Sequence, residues 1–180
     1  DDAMLAAARQ FMDSEGLGNV VLMKDDLFAS KLESSSFDLV HARFQIAPLG
    51  RGPDQIANHV RLLRPGGTVA LEEWDVSSWN FNPPVRALDS LVELIGQSFA
   101  QSGGDMHVGL KLLDLLRGVG VEGNVRSEVL ALPPGHPYLR LPLQFAAALE
   151  ERLLSIVTVD ELEQLRRESD AELEEPGRWG

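Results

Sequence analysis

One stretch of the chain, from Phe37 to Asp75, constrains the fold more than any other. It begins FDLVHARF and ends RLLRPGGTVALEEWD, so two short apolar runs flank a helix-length segment that closes with Pro-Gly-Gly. Proline and glycine together interrupt helices and supply turn conformations. The order strand, helix, turn, strand therefore predicts a βαβ unit, whose parallel strands are buried on both faces.

The segments on either side continue an alternation of helices and strands. Apolar residues at helical spacing predict helices from Asp1 to Gly16, from Pro53 to 63, over 88–99, over 108–119 and from 137 onward, the last helix being capped by Asp160 and Glu163. Apolar runs predict strands at Val20–Met23, Phe37–Val40, Thr68–Glu72 and Val125–Leu132. This order predicts the α/β class, with a mainly parallel sheet flanked by helices.

We expect a single domain over residues 1–180. Residues 76–104 change in character, with Trp79 and Phe81 close to Pro83 and Pro84 and then an apolar helix, which is typical of an insertion over the carboxyl edge of a sheet. Residues 137–175 are predicted to be a helical cover over the same edge.

The composition excludes several classes of partner. A net charge of −12 argues against nucleic acid and anionic membranes, because phosphate binding needs clustered lysine and arginine. The chain has no cysteine, which excludes disulfides and zinc thiolates and fits a reducing cytoplasm. No apolar run approaches the roughly 20 residues that span a bilayer. The four histidines do not show metal-ligand spacing, so no metal is predicted.

Polar residues follow both strands of the predicted βαβ unit. In open α/β sheets, ligands bind outside the carboxyl ends of the strands. The expected site therefore includes His41, Ala42 and Arg43 after the first strand, and Glu73 and Asp75 after the second. Together with Glu72, these two carboxylates are candidates for substrate binding or for a general base. The same acidic residues are equally typical of a solvated strand end.

In combination, these segments resemble class I S-adenosylmethionine-dependent methyltransferases of the small-molecule type, related to the ubiquinone and menaquinone biosynthesis enzymes. The resemblance is good over about residues 1–75 and looser over 76–180. It rests on DDAMLAAARQ as the helix after the second strand, VVLMKDD as the third strand, FDLVHARF as the fourth, and LLRPGGTVALEEWD as the turn and fifth strand. It implies a Rossmann-like sheet with a helical lid, S-adenosylmethionine as cofactor, and a small-molecule acceptor. A homodimer is left open.

The resemblance also assigns cofactor contacts. Asp26 matches the acidic residue that accepts a hydrogen bond from the adenine amino group, and Leu27 matches the neighbour that packs against the ring. Asp25 takes the place of Asp26 if the register differs by one residue. His41, Ala42 and Arg43 match the segment that contacts the methionine part. A carboxylate suits an exocyclic amine, and backbone carbonyls suit an ammonium group.

Methyl transfer to an oxygen acceptor would be helped by a nearby base. His41, His107 and the Glu73/Asp75 group are the candidates, although a histidine at such a position is often only a hydrogen-bonded packing residue. His107 belongs to the insertion that we expect to line the acceptor pocket. Four aromatic residues are predicted to form either that pocket or a small satellite core, namely Trp74, Trp79, Phe81 and Tyr138.

The chain departs from the family pattern in three places. The first strand with its glycine-rich loop is absent from residues 1–180, and so is the acidic residue that holds the ribose, which by spacing would precede Asp1. A closing strand is expected after Trp179. We expect a portion of a longer protein rather than a degenerate relative. Two alternative functions stay open: a nucleotide-dependent oxidoreductase on a similar sheet, and a non-catalytic binding or scaffold protein.

Overall fold

A computed structural model of the protein describes residues 2–177 and 179–180. The chain divides into two compact units, of which unit 1 runs to Val40 and adds Ala57–Val69, and unit 2 combines His41–Ile56 with Ala70–Gly180. The single domain, its insertion and its helical cover stay predictions. No helix in the described ranges has the length and apolar character needed to cross a membrane.

Helices dominate, and two strands form a sheet. The α-helices are α1 Asp2–Glu15, α2 Ile46–Leu49, α3 Gly52–Leu62, α4 Arg86–Gln101, α5 Leu112–Gly118, α6 Leu141–Ala148, α7 Glu150–Leu153 and α8 Val159–Leu173. Short 3₁₀ turns lie at Val76–Ser78, Val108–Lys111 and Pro137–Arg140. The strands are β1 Phe37–Arg43 and β2 Leu63–Glu72.

The two strands pair in parallel. The Ser36 N–H donates to the Leu62 carbonyl at one end, and the Phe44 N–H donates to the Glu72 carbonyl at the other. Both chains therefore advance in the same direction, as a βαβ connection requires. The fold is thus α/β, with a small parallel two-stranded sheet flanked by helices, which is consistent with a Rossmann-like architecture and shows part of it.

The first predicted helix is confirmed as α1. Gly16, at φ +66°, ends it, and the Leu17 N–H returns to the Met12 carbonyl at 3.0 Å, a C-terminal capping pattern that favours glycine. The cap predicted at Asp1 lies outside the described residues. The predicted apolar face is only partly covered, since Met4 is 69% exposed and Phe11 is 61% exposed.

Two predicted strands are wrong. Val20–Met23 and Val125–Leu132 have no strand structure, although both carry the β-branched residues that strands favour. A strand also needs a neighbour to complete its ladder, and within residues 2–177 and 179–180 the sheet has only two strands. Val21 and Val129 accordingly stay 84% and 77% exposed.

The Pro-Gly-Gly turn lies inside β2 rather than before it. Helix α3 ends at Leu62, and the strand begins at Leu63. Gly66 has φ +81°, a conformation that side chains other than glycine rarely adopt. The predicted turn is therefore a bend within the strand, and the helix that starts beside Pro53 is confirmed.

Helix α4 is the centre of the core of unit 2. Its buried residues repeat at helical spacing and pack towards α6 and α8; they are Ala87, Leu88, Leu91, Leu94, Ile95, Ser98 and Phe99. Gly96 interrupts the helix interior, where glycine is about 1 kcal/mol less favourable than alanine. A Cβ at Gly96 would meet Met106 Cγ at 3.5 Å, an ordinary van der Waals contact. Packing therefore does not demand glycine there.

The cap of α8 lies two residues before the predicted one. The Thr158 hydroxyl accepts the Glu161 N–H, and Glu161 Oε2 accepts the Thr158 N–H at 2.8 Å, which completes a capping box. The pairing of Asp160 with Glu163 was wrong. Both pairs share the same spacing, but only threonine has the hydroxyl of a capping box.

We expect Thr158→Ala to lower the free energy of unfolding by about 1 kcal/mol, because it removes the N-cap acceptor of α8. Urea denaturation followed by circular dichroism measures this change. Asp160→Asn is the matched control and should lose only a few tenths of a kcal/mol of helix-dipole interaction. Equal losses in the two variants would contradict the assignment of the cap.

Candidate functional site

The last residue of β2 and the three residues that follow it have four different sets of partners in unit 2. We call Glu72–Asp75 the strand-end segment. Successive side chains of an extended chain point to opposite faces. Consecutive residues of this segment therefore reach different neighbours, and each predicted site residue is best described with its own partners.

Glu72 binds the end of β1. Its Oε1 lies 2.8 Å from His41 Nε2, and its Oε2 lies 3.3 Å from Arg43 Nε. The Arg43 guanidinium also lies 4.5 Å from the centre of the Phe44 ring. The ionic side chains are about half exposed, so their attraction contributes little to stability. Between them Ala42 is buried, so packing fixes the strand end that was predicted to contact the cofactor.

Glu73 holds the corner that follows β1, residues 44–50. Its Oε1 accepts the N–H groups of Gln45 at 2.9 Å and Ile46 at 2.7 Å, and its Oε2 accepts that of Ala47 at 3.3 Å. These N–H groups start α2 and have no partner inside that helix. Burial raises the pKa of the Glu73 carboxyl above its ordinary value, against the opposing effect of the three N–H groups.

Trp74 belongs to a packed aromatic cluster. Its ring stacks on Phe44 at 4.8 Å between centroids and meets Phe145 edge-on at 4.9 Å. Trp79 and Phe99 complete its ring contacts. Trp74 is buried, so for this residue the structure favours the satellite core over the acceptor pocket. Tyr138, which was predicted to belong to the same pocket or core, has a ring contact with His136 instead of Trp74.

Asp75 pairs with His107. Its Oδ1 lies 3.2 Å from His107 Nδ1, and the carboxylate also accepts the N–H and the hydroxyl of Ser77. The hydroxyl of Ser77 is the main reason that the pKa of Asp75 is lowered. The His107 N–H donates to Asp105 Oδ1 at 2.9 Å, and Asp105 also pairs with Lys111. The structure therefore brings together two of the four predicted catalytic residues.

Backbone contacts fix the position of His107. It lies in the glycine loop, residues 103–109. This loop is hydrogen-bonded at one point to the corner that follows β1 and at another to the strand-end segment. The Asp105 N–H donates to the Ala47 carbonyl at 2.8 Å, and the Gly109 N–H donates to the Trp74 carbonyl at 3.1 Å. A Cβ on Gly109 would lie 2.6 Å from the Trp74 oxygen, so only glycine permits this approach.

An open pocket of about 390 Å³ lies beside His107. Helix α4 forms one wall through Val92, Glu93, Gly96 and Gln97, and a second wall is formed by Val76, Met106 and His107. The Val76 N–H donates to the Met106 carbonyl at 3.2 Å, which joins the two parts of the second wall.

The predicted adenine contacts lie in unit 1, in a turn. Asp25 uses both carboxylate oxygens, which accept the Lys31 N–H and the Ser30 hydroxyl, and these bonds lower its pKa. Within the described residues, the Asp26 carboxylate accepts one hydrogen bond, from the Phe28 N–H to Oδ1 at 2.8 Å. The Leu27 carbonyl accepts a bond from Asn58 of α3. Of the two carboxylates, Asp26 is the better placed to accept a ligand amine.

Sequence reasoning missed three features of these sites. Ser77 and Asp105 hold Asp75 and His107, and the Asp-x-Ser and Asp-x-His spacings are signals that sequence inspection can find. The third feature is His59 of α3, which is only 5% exposed and whose pKa is lowered by burial. Over residues 2–177 and 179–180, no group of three His, Cys, Asp or Glu is arranged to hold a metal ion.

Comparison with known proteins gives one partial relative. No family model matches the chain. Over 74 residues, however, it is 32% identical to Methyltransferase grgD of a Penicillium species. This chain is similar to a methyltransferase. The match covers 40% of this chain and 26% of the relative, so the chain spans about a quarter of the length of that relative. The similarity supports the prediction that the chain is related to methyltransferases.

We expect Glu73→Ala to lower the free energy of unfolding by about 1–3 kcal/mol, because three N–H groups of a partly buried corner lose their acceptor. Urea denaturation measures this loss. Glu72→Gln is the matched control on the adjacent, exposed carboxylate and should change stability by less than about 0.5 kcal/mol. A loss as large in the control would show that the corner does not depend on Glu73.

The pH dependence of stability gives a second prediction for Glu73. Its carboxyl has a raised pKa, so between the ordinary value of 4.5 and the raised value the folded protein binds more protons than the unfolded chain. Stability contributed by this group therefore falls as the pH rises through that window. Glu73→Gln should flatten this part of the profile, measured by urea denaturation above pH 4.5. An unchanged profile would contradict the raised pKa.

Proposed function

We propose that the protein transfers a methyl group from S-adenosylmethionine to a small-molecule acceptor, as a class I enzyme related to the quinone-biosynthesis methyltransferases. The 32% identity to a protein named a methyltransferase is the observation that carries the proposal. The parallel β1–α3–β2 arrangement supports it, because ligands of such sheets bind at the carboxyl ends of the strands.

In unit 1, Asp26 suits the cofactor by its chemistry. One carboxylate oxygen is used by its own turn, and a carboxylate is an acceptor for the amino group of adenine. Leu27 supplies the apolar neighbour, and its backbone is fixed to α3 by Asn58. We assign the adenine end to these two residues, with Asp25 as the weaker alternative because its oxygens are already engaged.

In unit 2, the end of β1 suits the methionine part. Ala42 is buried and fixes the backbone of the His41–Arg43 run, while Glu73 fixes the corner that follows. Glu72 supplies negative charge at the same strand end, although His41 and Arg43 partly compensate it. When bound, S-adenosylmethionine supplies a methyl group that its sulfonium has made electrophilic. The chain's contribution is to align the acceptor and to exclude water.

His107 is the base that we favour for an acceptor with a hydroxyl group. Its Nδ1 is held by Asp75, and its ring lines the pocket beside α4. His41 has its Nε2 engaged by Glu72, and Glu73 is committed to three backbone N–H groups. The net charge of −12 favours a small molecule over a nucleic acid as acceptor.

Thermal unfolding of the full-length protein with added nucleotides tests the choice of cofactor. S-adenosylhomocysteine at 100 times its Kd should stabilise the folded state by about 2.7 kcal/mol, whereas NAD and NADP should not. Stabilisation by NAD or NADP alone would support the oxidoreductase instead. Stabilisation by none of the three would support a non-catalytic relative.

The assignment of the adenine contact has its own test. Asp26→Asn should weaken S-adenosylhomocysteine binding about tenfold in calorimetry, since the hydrogen bond from the adenine amino group loses its charged acceptor. Asp25→Asn is the matched control and should leave binding within about twofold. The reverse result would move the contact by one residue.

A further inference from the structure

The pocket beside α4 combines features that indicate a specific kind of ligand. We propose that it binds a hydroxyl-bearing molecule of about one aromatic ring, neutral or cationic, whose hydroxyl donates a hydrogen bond to His107. That this ligand is the methyl acceptor rests on the proposed function, whereas its binding does not.

The size and walls of the pocket favour a small, partly apolar ligand. Its volume of about 390 Å³ is at the low end of the range of small-molecule sites. Val76, Val92 and Met106 supply apolar surface on both sides. Met106 is buried and bonded through its carbonyl to Val76, so this wall is fixed before a ligand arrives.

The pairing of Asp75 with His107 sets the hydrogen-bond chemistry. An ionised carboxylate only accepts, so the bond at 3.2 Å places the imidazole proton on Nδ1. In the neutral ring, Nε2 is then an acceptor, which requires a donor from the ligand. A hydroxyl group is such a donor, and an ether oxygen is not.

The surrounding charges select against anions. Glu93 lies on the wall of α4, and the carboxylates of Asp75 and Asp105 lie beside His107. The ammonium of Lys111 is paired with Asp105. A carboxylate ligand would therefore face like charges, whereas an amine would be attracted to Glu93.

Gly96 keeps the pocket open. An alanine Cβ would make ordinary contact with Met106, so neither packing nor helix formation explains the glycine. Any longer side chain at this position would extend from α4 between the two walls. The absence of a side chain longer than that of alanine therefore leaves space beside α4 for a ligand.

Three para-substituted phenols that are cationic, neutral and anionic test the proposal on the full-length protein. The probes are tyramine, 4-methylphenol and 4-hydroxyphenylacetate, with 4-methylanisole as the analogue that lacks a hydroxyl donor. Binding is followed by the NMR signal of the Met106 methyl group, assigned with Met106→Leu. We expect tyramine to bind most tightly and 4-hydroxyphenylacetate at least tenfold more weakly. Equal affinities, or no change at Met106, would overturn the proposal.

Variants separate the contributions of the pocket residues. Gly96→Leu should weaken tyramine at least tenfold, while Gly96→Ala serves as the folding control and should bind within about threefold of the parent. Variants of Glu93 and His107, which are exposed, test the proposal even if Gly96→Leu does not fold. Glu93→Gln should remove the preference for tyramine over 4-methylphenol, and His107→Phe should weaken 4-methylphenol but leave 4-methylanisole unchanged. Unaltered binding in both exposed variants would overturn the proposal.

S-adenosylhomocysteine binding, measured on the same samples, distinguishes the two proposals. If the phenols bind as expected and S-adenosylhomocysteine does not, the pocket stands and the methyltransferase proposal fails. If S-adenosylhomocysteine binds and no phenol perturbs Met106, the pocket proposal fails and the proposed function stands.

Discussion

The carboxylate of Glu73 is the contact on which the arrangement of unit 2 depends. It collects the N–H groups of Gln45, Ile46 and Ala47 and so joins the end of one strand to the turn after the other. The carbonyl of Ala47 then accepts the Asp105 N–H, which positions the glycine loop and His107. A partly buried carboxylate is costly unless it is hydrogen-bonded, and here its three donors are backbone groups that themselves need an acceptor.

Successive side chains of the strand-end segment point in different directions and therefore have different partners. Glu72 faces the charged end of β1, and Trp74 enters the aromatic cluster. Asp75 turns to His107 at the pocket. Because Trp74 is buried, the carboxylates of the two histidine–carboxylate pairs lie on either side of a core residue in the sequence. One short run of sequence thus supplies both ion pairs, the corner and part of the core.

Local signals in the sequence were enough for α1, α3, α4 and the βαβ unit. The stripe on α4 and the glycine after α1 predicted elements that the structure confirms. Val20–Met23 and Val125–Leu132 failed because a strand depends on a partner, which local alternation does not reveal. The same limit applies to the site. Sequence placed Glu73 and Asp75 at a strand end, but it did not show that one is bound by backbone N–H groups and the other by a histidine 32 residues away.

Gly104 and Gly109 have a consequence for how this protein can change. A Cβ at either position would lie within 2.6 Å of a carbonyl oxygen, that of Ala47 or that of Trp74. The loop is therefore held at two points, and of the four residues between them Met106 and His107 line the pocket whereas Val108 is buried in the core. Divergent copies of the chain can exchange Met106 and His107 while the backbone path is retained. The lining of the pocket can then vary, in evolution or in a small combinatorial library, without rebuilding the scaffold.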